Sequence, residues 1–247
     1  MMPRGLLLLA ALLLPAAPAL AADGNAGTDG IDLIRLLAPP PAAGSPAALA
    51  DLQAVLATQA SRTPAEDEAA KADAERSVFR LTDTLGPGLS PATLPRTAAF
   101  FKRVAELDKA SAKEAKSWWR HPRPSEVSDK VHPLSMGKPG DWSYPSGHAT
   151  FGYTAAILLA NMLPEKRVAI FDRAALYAHH RVVMGAHFPS DVEAGRIAGT
   201  VIAAELLRDP LWHADFVAAQ DELRKSLALK PTAAPQVAAD RHGAGRS

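Results

Sequence analysis

The stretch SYPSGHATFGYTAAILLANM, Ser143 to Met162, joins a turn of small residues to a long apolar run. Ser146 suits a helix N-cap, and Gly147 lets the backbone approach a ligand closely. Apolar residues then recur at the spacing of one helix face, at Phe151, Ala155, Leu158, Leu159 and Met162. The pattern predicts a helix that begins at Ser146. Because the first N–H groups of a helix have no partner within it, they can hold an anion here.

Local signals elsewhere in the chain also favour helices, since alanine and leucine are abundant and β-branched residues are sparse. A capping box at Thr63-Pro64-Ala65-Glu66 predicts a helix to about Leu85, where Gly86-Pro87-Gly88 ends it. Four further helices are predicted: from Arg96 or Thr97 to Trp119, from Glu165 to Met184 with Gly185 as C-terminal cap, from a capping box at Ser190-Asp191-Val192-Glu193 to about Leu207, and from the cap Asp209 to about Leu227. No strand pattern or repeat is found, so the sequence predicts an all-α, single-domain helical bundle.

Residues 1–21 have the features of a secretory signal peptide: one positive charge, Arg4, an apolar core and the small-residue pattern Ala19-Leu20-Ala21. A retained membrane anchor is the alternative, but the apolar run is short for a membrane span. Residues 22–45 are rich in Gly, Pro and Ala, which predicts an extended or polyproline-like segment. Residues 46–228 are predicted to form the helical domain, and the tail 229–247 to be disordered. The expected location is the periplasm.

Composition excludes several classes of function. The formal net charge is +1, so charge alone indicates no nucleic acid partner. The chain has no cysteine, which excludes a thiolate nucleophile and thiolate metal ligands. The longest uncharged stretch of the mature chain, residues 149–164, is shorter than a membrane span, so no membrane insertion is expected.

Three short clusters carry residues suited to chemistry. In KSWWRHPRP, Lys116 and Arg120 are spaced to share a helix face, while Pro122 and Pro124 place Arg123 on an extended exit. Taken alone, this cluster is typical of a solvated basic helix end. In PSGH, a lone histidine at position 148 is more often structural than catalytic.

The third cluster, HRVVMGAHFPSD, places His187 in a short link between two predicted helices. Asp191 falls in the first turn of the second helix, where a carboxylate is favourable with or without a catalytic role. It could also accept a hydrogen bond from one ring nitrogen of His187 and so fix its tautomer.

The three clusters together predict a phosphate site. Arg and Lys side chains bind the non-bridging oxygens, and the N–H groups at a helix start add partial positive charge. One histidine can attack phosphorus while a second protonates the leaving oxygen.

The order and spacing of these residues resemble the three-part signature of the phosphatidic acid phosphatase type 2 (PAP2) and vanadium haloperoxidase superfamily. Within it the chain resembles the secreted class A non-specific acid phosphatases of bacteria, and LPRTAAFFKRV and RTPAEDEAAKADAERSVF extend the likeness into the N-terminal half. The resemblance implies a helical bundle of that type. It further implies that His187 is the nucleophile, that Asp191 orients it and that His148 is the general acid and then base. The implied phosphate-binding residues are Lys116, Arg123, Ser146, Gly147 and Arg181.

The resemblance also implies a metal-independent phosphomonoesterase with no cofactor, in which vanadate would bind as a phosphate mimic and inhibitor. Phosphate transfer to alcohols would need only a competitor for water. The pairing of an acid, His148, with an unprotonated nucleophile, His187, predicts a mildly acidic optimum. The sequence departs from the family pattern at His180, where serine usually precedes the third-block arginine.

Three alternatives stay open from the sequence. They are a vanadium-dependent haloperoxidase using the same site, a membrane lipid phosphatase, and an exported helical protein that binds phosphorylated ligands without turnover. A homo-oligomer is also open, since the Pro-rich segment could pack on a neighbouring subunit or on its own domain.

Overall fold

The computed structural model describes residues 31–137 and 140–231, and this part of the chain is helical with no strand. The α-helices in it are α1 (Leu33–Leu36), α2 (Pro46–Ser61), α3 (Pro64–Ala72), α4 (Pro95–Trp119), α5 (Pro124–Val127), α6 (Gly147–Met162), α7 (Arg167–Val183), α8 (Pro189–Arg208) and α9 (Pro210–Ser226). Short 3-10 helices occupy Val78–Arg80 and Pro164–Lys166. The predicted all-α fold class is confirmed. The predicted signal peptide and most of the predicted tail lie outside the described residues.

The helix α6 lies at the centre of the bundle, packed against α4, α7 and α8. Its apolar residues face every side, which is the pattern of a helix buried all round. Phe151, Leu158, Leu159 and Met162 are fully buried. The helix starts at the predicted place, because Ser146 is its N-cap and accepts a hydrogen bond from the Ala149 N–H at 3.4 Å. Its N-terminus, which carries the PSGH cluster, is therefore fixed by the core.

Two glycines allow α8 to lie directly against α6. A methyl group on Gly195 would lie 2.6 Å from the carbonyl oxygen of Ser146. One on Gly199 would lie 2.4 Å from the carbonyl oxygen of Thr150. Contacts this short do not occur, so only glycine permits the observed separation of the two helix backbones. The third cluster, at the start of α8, is thereby held beside the second.

The turn after α7 follows the Schellman pattern that the glycine at 185 predicts. Gly185 has φ +66°, and its N–H donates to the Val182 carbonyl at 2.8 Å. The Ala186 N–H donates to the Arg181 carbonyl at 3.1 Å. This turn reverses the chain within two residues and places His187 between α7 and α8.

The helix predicted from residue 63 to residue 85 ends early, at Ala72, so that prediction is wrong in length. The capping box is present, with the Thr63 N–H donating to Glu66 Oε2 at 2.7 Å. The chain leaves the helix at Asp73, whose buried carboxylate is bound by Arg173 from α7. A tertiary ion pair has therefore overridden local helix propensity.

The start of α8 also differs from the prediction. Phe188, rather than Ser190, is the N-cap, and the Asp191 carboxylate accepts its N–H at 2.8 Å. The Ser190 hydroxyl instead donates to Asp51 on α2. The predicted capping box is thus shifted by two residues, which moves Asp191 into the capping position.

The segment 22–45 is not wholly extended. It contains α1, capped by Asp32, and buries Leu33 and Leu37 against Ala115 and Tyr144. The described part of this segment therefore packs on its own domain. Among the described residues, no helix combines the length and the hydropathy that a membrane crossing requires.

Candidate active site

His187 and Asp191 lie together at the start of α8. His187 Nδ1 is 3.4 Å from Asp191 Oδ2, and both side chains are buried. Ser143 donates its hydroxyl proton to the same carboxylate oxygen at 2.5 Å, and its oxygen lies 3.3 Å from His187 Nδ1. Because the carboxylate only accepts hydrogen bonds, the ring proton of His187 belongs on Nδ1.

The opposite ring nitrogen of His187 faces a cation. Arg123 Nη1 lies 3.2 Å from Nε2, and a guanidinium can only donate. Nε2 therefore carries its lone pair. Burial lowers the pKa of His187 well below its ordinary value, against the opposing effect of Asp191. The arrangement presents a neutral imidazole whose unprotonated Nε2 faces a positive charge, and a phosphate oxygen that took over the Arg123 N–H would leave this lone pair to attack phosphorus.

Asp191 is ionised in this setting. Burial by itself would raise its pKa, but contacts with His121, His187 and Ser143 outweigh that effect and lower the pKa below the ordinary range. His121 Nδ1 lies 3.4 Å from Asp191 Oδ1. The carboxylate therefore stays ionised and available to stabilise positive charge on His187.

His148 lies in the first turn of α6, with Nε2 2.9 Å from the carbonyl oxygen of Ala74. A carbonyl accepts only, so Nε2 carries a proton and Nδ1 is the nitrogen that can gain and lose one. Burial lowers the pKa of His148 well below its ordinary value, and Arg181 and Arg76 lower it further. A bound anion would counter those two cations and raise this pKa.

The cations of the first and third clusters converge on the same region. Lys116 donates to the carbonyls of Trp142 and Ser143, the second at 3.1 Å. Burial, reinforced by Arg123, lowers the pKa of Lys116 to about 7. Burial likewise lowers the pKa of Arg181 to about 10. Below neutral pH all three cations are charged and partly stripped of water, which strengthens their attraction for an anion.

Arg123 extends from the loop after α4, as predicted from the prolines around it. Its Nη1 donates to the Ala186 carbonyl at 2.6 Å, and its Nη2 donates to Asp141 Oδ2 at 2.7 Å. Asp141 is half exposed. A carboxylate thus occupies a position on Arg123 that a phosphate oxygen could take. By contrast Arg120, which shares the same cluster, is exposed, and its side chain donates to the nearby Ser117 carbonyl.

Ser146 and Gly147 form the start of α6. The Ser146 hydroxyl oxygen is buried and caps the helix, so in this state it serves the fold. Gly147 has a specific neighbour, because a methyl group on it would lie 3.0 Å from Arg76 Nη2. The space that a side chain would fill here is taken by a guanidinium.

An open cavity of about 250 Å³ adjoins these groups. Its walls include Arg123, His148 and Arg181, together with Asp141 and Ala186. It is large enough for a phosphate group and part of its ester. In residues 31–137 and 140–231, no three His, Asp or Glu side chains form a group that could hold a metal ion.

The structure adds residues that the motifs do not contain. Ser143 binds Asp191, Asp141 binds Arg123, and Arg76 lies beside Gly147. His180 points away from the cavity to the buried carboxylate of Asp73, with Nδ1 and Oδ2 2.7 Å apart. The position of Ser143, two residues before Pro145 of the PSGH cluster, was a usable signal. The others depend on contacts between distant parts of the chain.

The chain is similar to known phosphatases. The PAP2 superfamily model matches residues 103–214, a range that holds all three clusters. An acid phosphatase of Zymomonas mobilis is 32% identical over 206 residues, covering 79% of this chain and 76% of that protein. A non-specific acid phosphatase of Salmonella typhimurium is 29% identical over 199 residues, covering 76% and 78%.

A solved structure is also similar, that of a transmembrane PAP2-type phosphatidylglycerolphosphate phosphatase from Bacillus subtilis. Its TM-score is 0.49 at 21% identity, covering 66% of this chain and 85% of that one. The family follows from the sequence relatives, since the acid phosphatase of Zymomonas mobilis is 32% identical and is matched over 76% of its length. The chain therefore belongs to the PAP2 superfamily and, within it, to the acid phosphatases.

Proposed function

We propose that this acid phosphatase hydrolyses phosphate monoesters without a metal ion, through a phosphohistidine formed at His187. The observation that carries the proposal is the lone pair on Nε2, which lies 3.2 Å from Arg123 while Asp191 faces Nδ1. Arg123 can draw a phosphate oxygen to the place where that lone pair reaches phosphorus. Metal ions supply positive charge in many phosphoryl transfers, and here fixed cations would supply it.

In the first step, Nε2 of His187 forms a bond to phosphorus as the bond to the leaving oxygen breaks. His148 gives its Nδ1 proton to that oxygen, so the alcohol leaves neutral. The ring of His187 becomes positively charged, and Asp191 stabilises it through Nδ1. Binding of the phosphate anion raises the pKa of His148 by offsetting nearby cations, which supplies the proton when it is needed.

In the second step, His148 accepts a proton from water as the water oxygen bonds to phosphorus. The phosphorus–nitrogen bond breaks and its electron pair returns to Nε2. An alcohol in place of water would yield a new phosphate ester, so phosphate transfer uses the same intermediate. Lys116, Arg123 and Arg181, with the Gly147 N–H, would hold the oxygens through both steps. Vanadate, which has the same shape and charge, is expected to inhibit.

Hydrolysis of p-nitrophenyl phosphate by the mature protein in excess EDTA at mildly acidic pH tests the proposal. His187→Ala should abolish turnover, whereas His213→Ala, which removes an exposed histidine on α9, should leave it unchanged. Rapid quenching with labelled substrate should trap an alkali-stable, acid-labile phosphoprotein in the wild type alone. Turnover that survives His187→Ala, or that EDTA abolishes, would refute the mechanism.

We also propose export to the periplasm, with cleavage after residue 21 or 22. The support is the charge, apolar core and small-residue pattern of the first residues. Amino-terminal sequencing of the protein recovered from the periplasmic fraction should begin near Ala22.

The haloperoxidase alternative has its own test. Halide oxidation by vanadate-loaded protein that lacks phosphatase activity would favour a haloperoxidase over the proposed phosphatase mechanism.

A further inference from the structure

Arg76 lies beside Gly147, at the start of the helix that carries His148, although none of the three clusters contains it. Its Nη2 is 3.0 Å from the place where a methyl group on Gly147 would lie, and Ala112 Cβ borders the same place at 4.0 Å. The guanidinium therefore lies beside the first residue of α6, which also faces Ala112 of α4. The N–H groups at that helix start point out of the same turn.

The positive charge of Arg76 changes the pKa values of three other groups of the site. It lowers the pKa of His148, of Lys116 and of Arg181, in each case after the larger effect of burial. Within residues 31–137 and 140–231, no carboxylate forms an ion pair with Arg76 and no hydrogen bond engages it. A half-buried guanidinium among other cations is unfavourable unless an anion joins them.

The backbone before Arg76 is fixed by tertiary contacts at three consecutive residues. The Asp73 carboxylate is bound by Arg173 and by His180, each at 2.7 Å. The Ala74 carbonyl is bound by His148, and the Glu75 carbonyl by the Tyr177 hydroxyl at 3.0 Å.

The Asp73 carboxylate is ionised as well as buried. Burial alone would raise its pKa, but the bonds from His180 and Arg173 lower it below the ordinary range. Breaking a buried pair of this kind is strongly destabilising because it leaves an uncompensated buried charge, so the turn is held firmly. Arg76 is therefore held beside Gly147 by a rigid segment rather than by a mobile loop.

We propose that Arg76 is a further phosphate-binding residue of this enzyme, and that His180, through Asp73, is the residue that positions it. The proposal rests on the proposed function, because the anion it names is the phosphoryl group of the substrate. A guanidinium can give two parallel hydrogen bonds to phosphate oxygens, beside the Gly147 N–H. His180, which stands where the family pattern has serine, thereby has the role of positioning Arg76.

Binding of inorganic phosphate and of orthovanadate to the mature full chain, by calorimetry, tests the proposal separately from turnover. Arg76→Gln should weaken both about 10- to 100-fold, the usual range for loss of a hydrogen bond between charged groups. Arg76→Lys should recover part of the loss, since it keeps the charge. Arg196→Gln is the matched control, because Arg196 is exposed on α8 and forms an ion pair with Glu193 of the same helix.

The role of His180 is tested by a double-mutant comparison. His180→Gln should weaken phosphate binding in the wild type but cause no further loss once Arg76 is glutamine. A merely structural effect of His180 would weaken binding equally in both backgrounds, and that result would refute the positioning role. Circular dichroism verifies that each variant is folded.

Two results separate failure of this inference from failure of the proposed function. If the wild type binds phosphate and Arg76→Gln binds it within twofold of Arg196→Gln, Arg76 is not a phosphate ligand, whether or not the enzyme turns over. Such a result would assign Arg76 to balancing the buried carboxylate of Asp108, whose pKa it lowers. If the wild type binds no phosphate at all, both proposals are wrong.

Discussion

Substitution of one glycine between two helices should damage both stability and activity. In Gly195→Ala the new methyl group would lie 2.6 Å from the Ser146 carbonyl oxygen, 2.7 Å from Ala149 Cβ and 3.0 Å from the Thr150 nitrogen, where ordinary contacts measure 3.4–4 Å. Two of these three atoms are backbone, so no side chain can rotate away. The helices α6 and α8 must separate instead.

The magnitude follows from two opposing effects. Overpacking of this kind costs about 3 kcal/mol when the backbone cannot relax. Replacing a helical glycine by alanine returns about 1 kcal/mol of helix propensity. The expected net loss is about 2 kcal/mol, which lowers the melting temperature by roughly 4–8 °C in a domain of this size. Without the close contact, the same substitution would raise it.

Thermal unfolding, followed by circular dichroism, measures the change, with Thr200→Ala as control on the exposed face of the same helix. The control should stay within about 0.5 kcal/mol of the wild type. Because the shift moves the Ser146–Gly147 turn, kcat/KM should also fall about tenfold or more in fully folded protein. A higher melting temperature for Gly195→Ala, with unchanged kcat/KM, would refute the packing argument.

Two pH-dependent predictions follow from buried groups. Burial and Arg123 lower the pKa of Lys116 to about 7, so the positive charge of Lys116 is lost above that pH, in addition to the proton of the general acid. The kcat/KM profile should therefore fall more steeply above pH 7 in the wild type than in Lys116→Arg, whose side chain stays charged. Equal slopes in the two proteins would refute this. Burial raises the pKa of Asp108 to about 7 against the hydrogen bond from Thr154, so the native state holds a proton that the unfolded state releases between about pH 4 and 7. Stability from this group is therefore greatest at low pH and falls as pH rises. Asp108→Asn, which is neutral throughout, should gain stability relative to the wild type over that window by up to about 4 kcal/mol in urea unfolding, whereas the exposed control Asp172→Asn should not.

Helix starts and stops were predictable wherever neighbouring residues determine them. The Thr63–Glu66 capping box, the Ser146 cap and the glycine turn at 185 are all as predicted, because each involves residues within five positions of one another. Predictions failed where a distant partner intervened. Ser190 caps nothing because Asp51 on α2 binds its hydroxyl.

The sequence by itself determined the helical class and the order and spacing of the three clusters. It also placed an imidazole and a carboxylate four residues apart, at His187 and Asp191. Only the tertiary structure decided which nitrogen of His187 keeps its lone pair, since that depends on Arg123, 64 residues away along the chain. It likewise decided that Arg76 lies beside Gly147. Local hydrogen bonds are encoded by neighbours, whereas protonation and charge in a buried site depend on the residues that packing brings together.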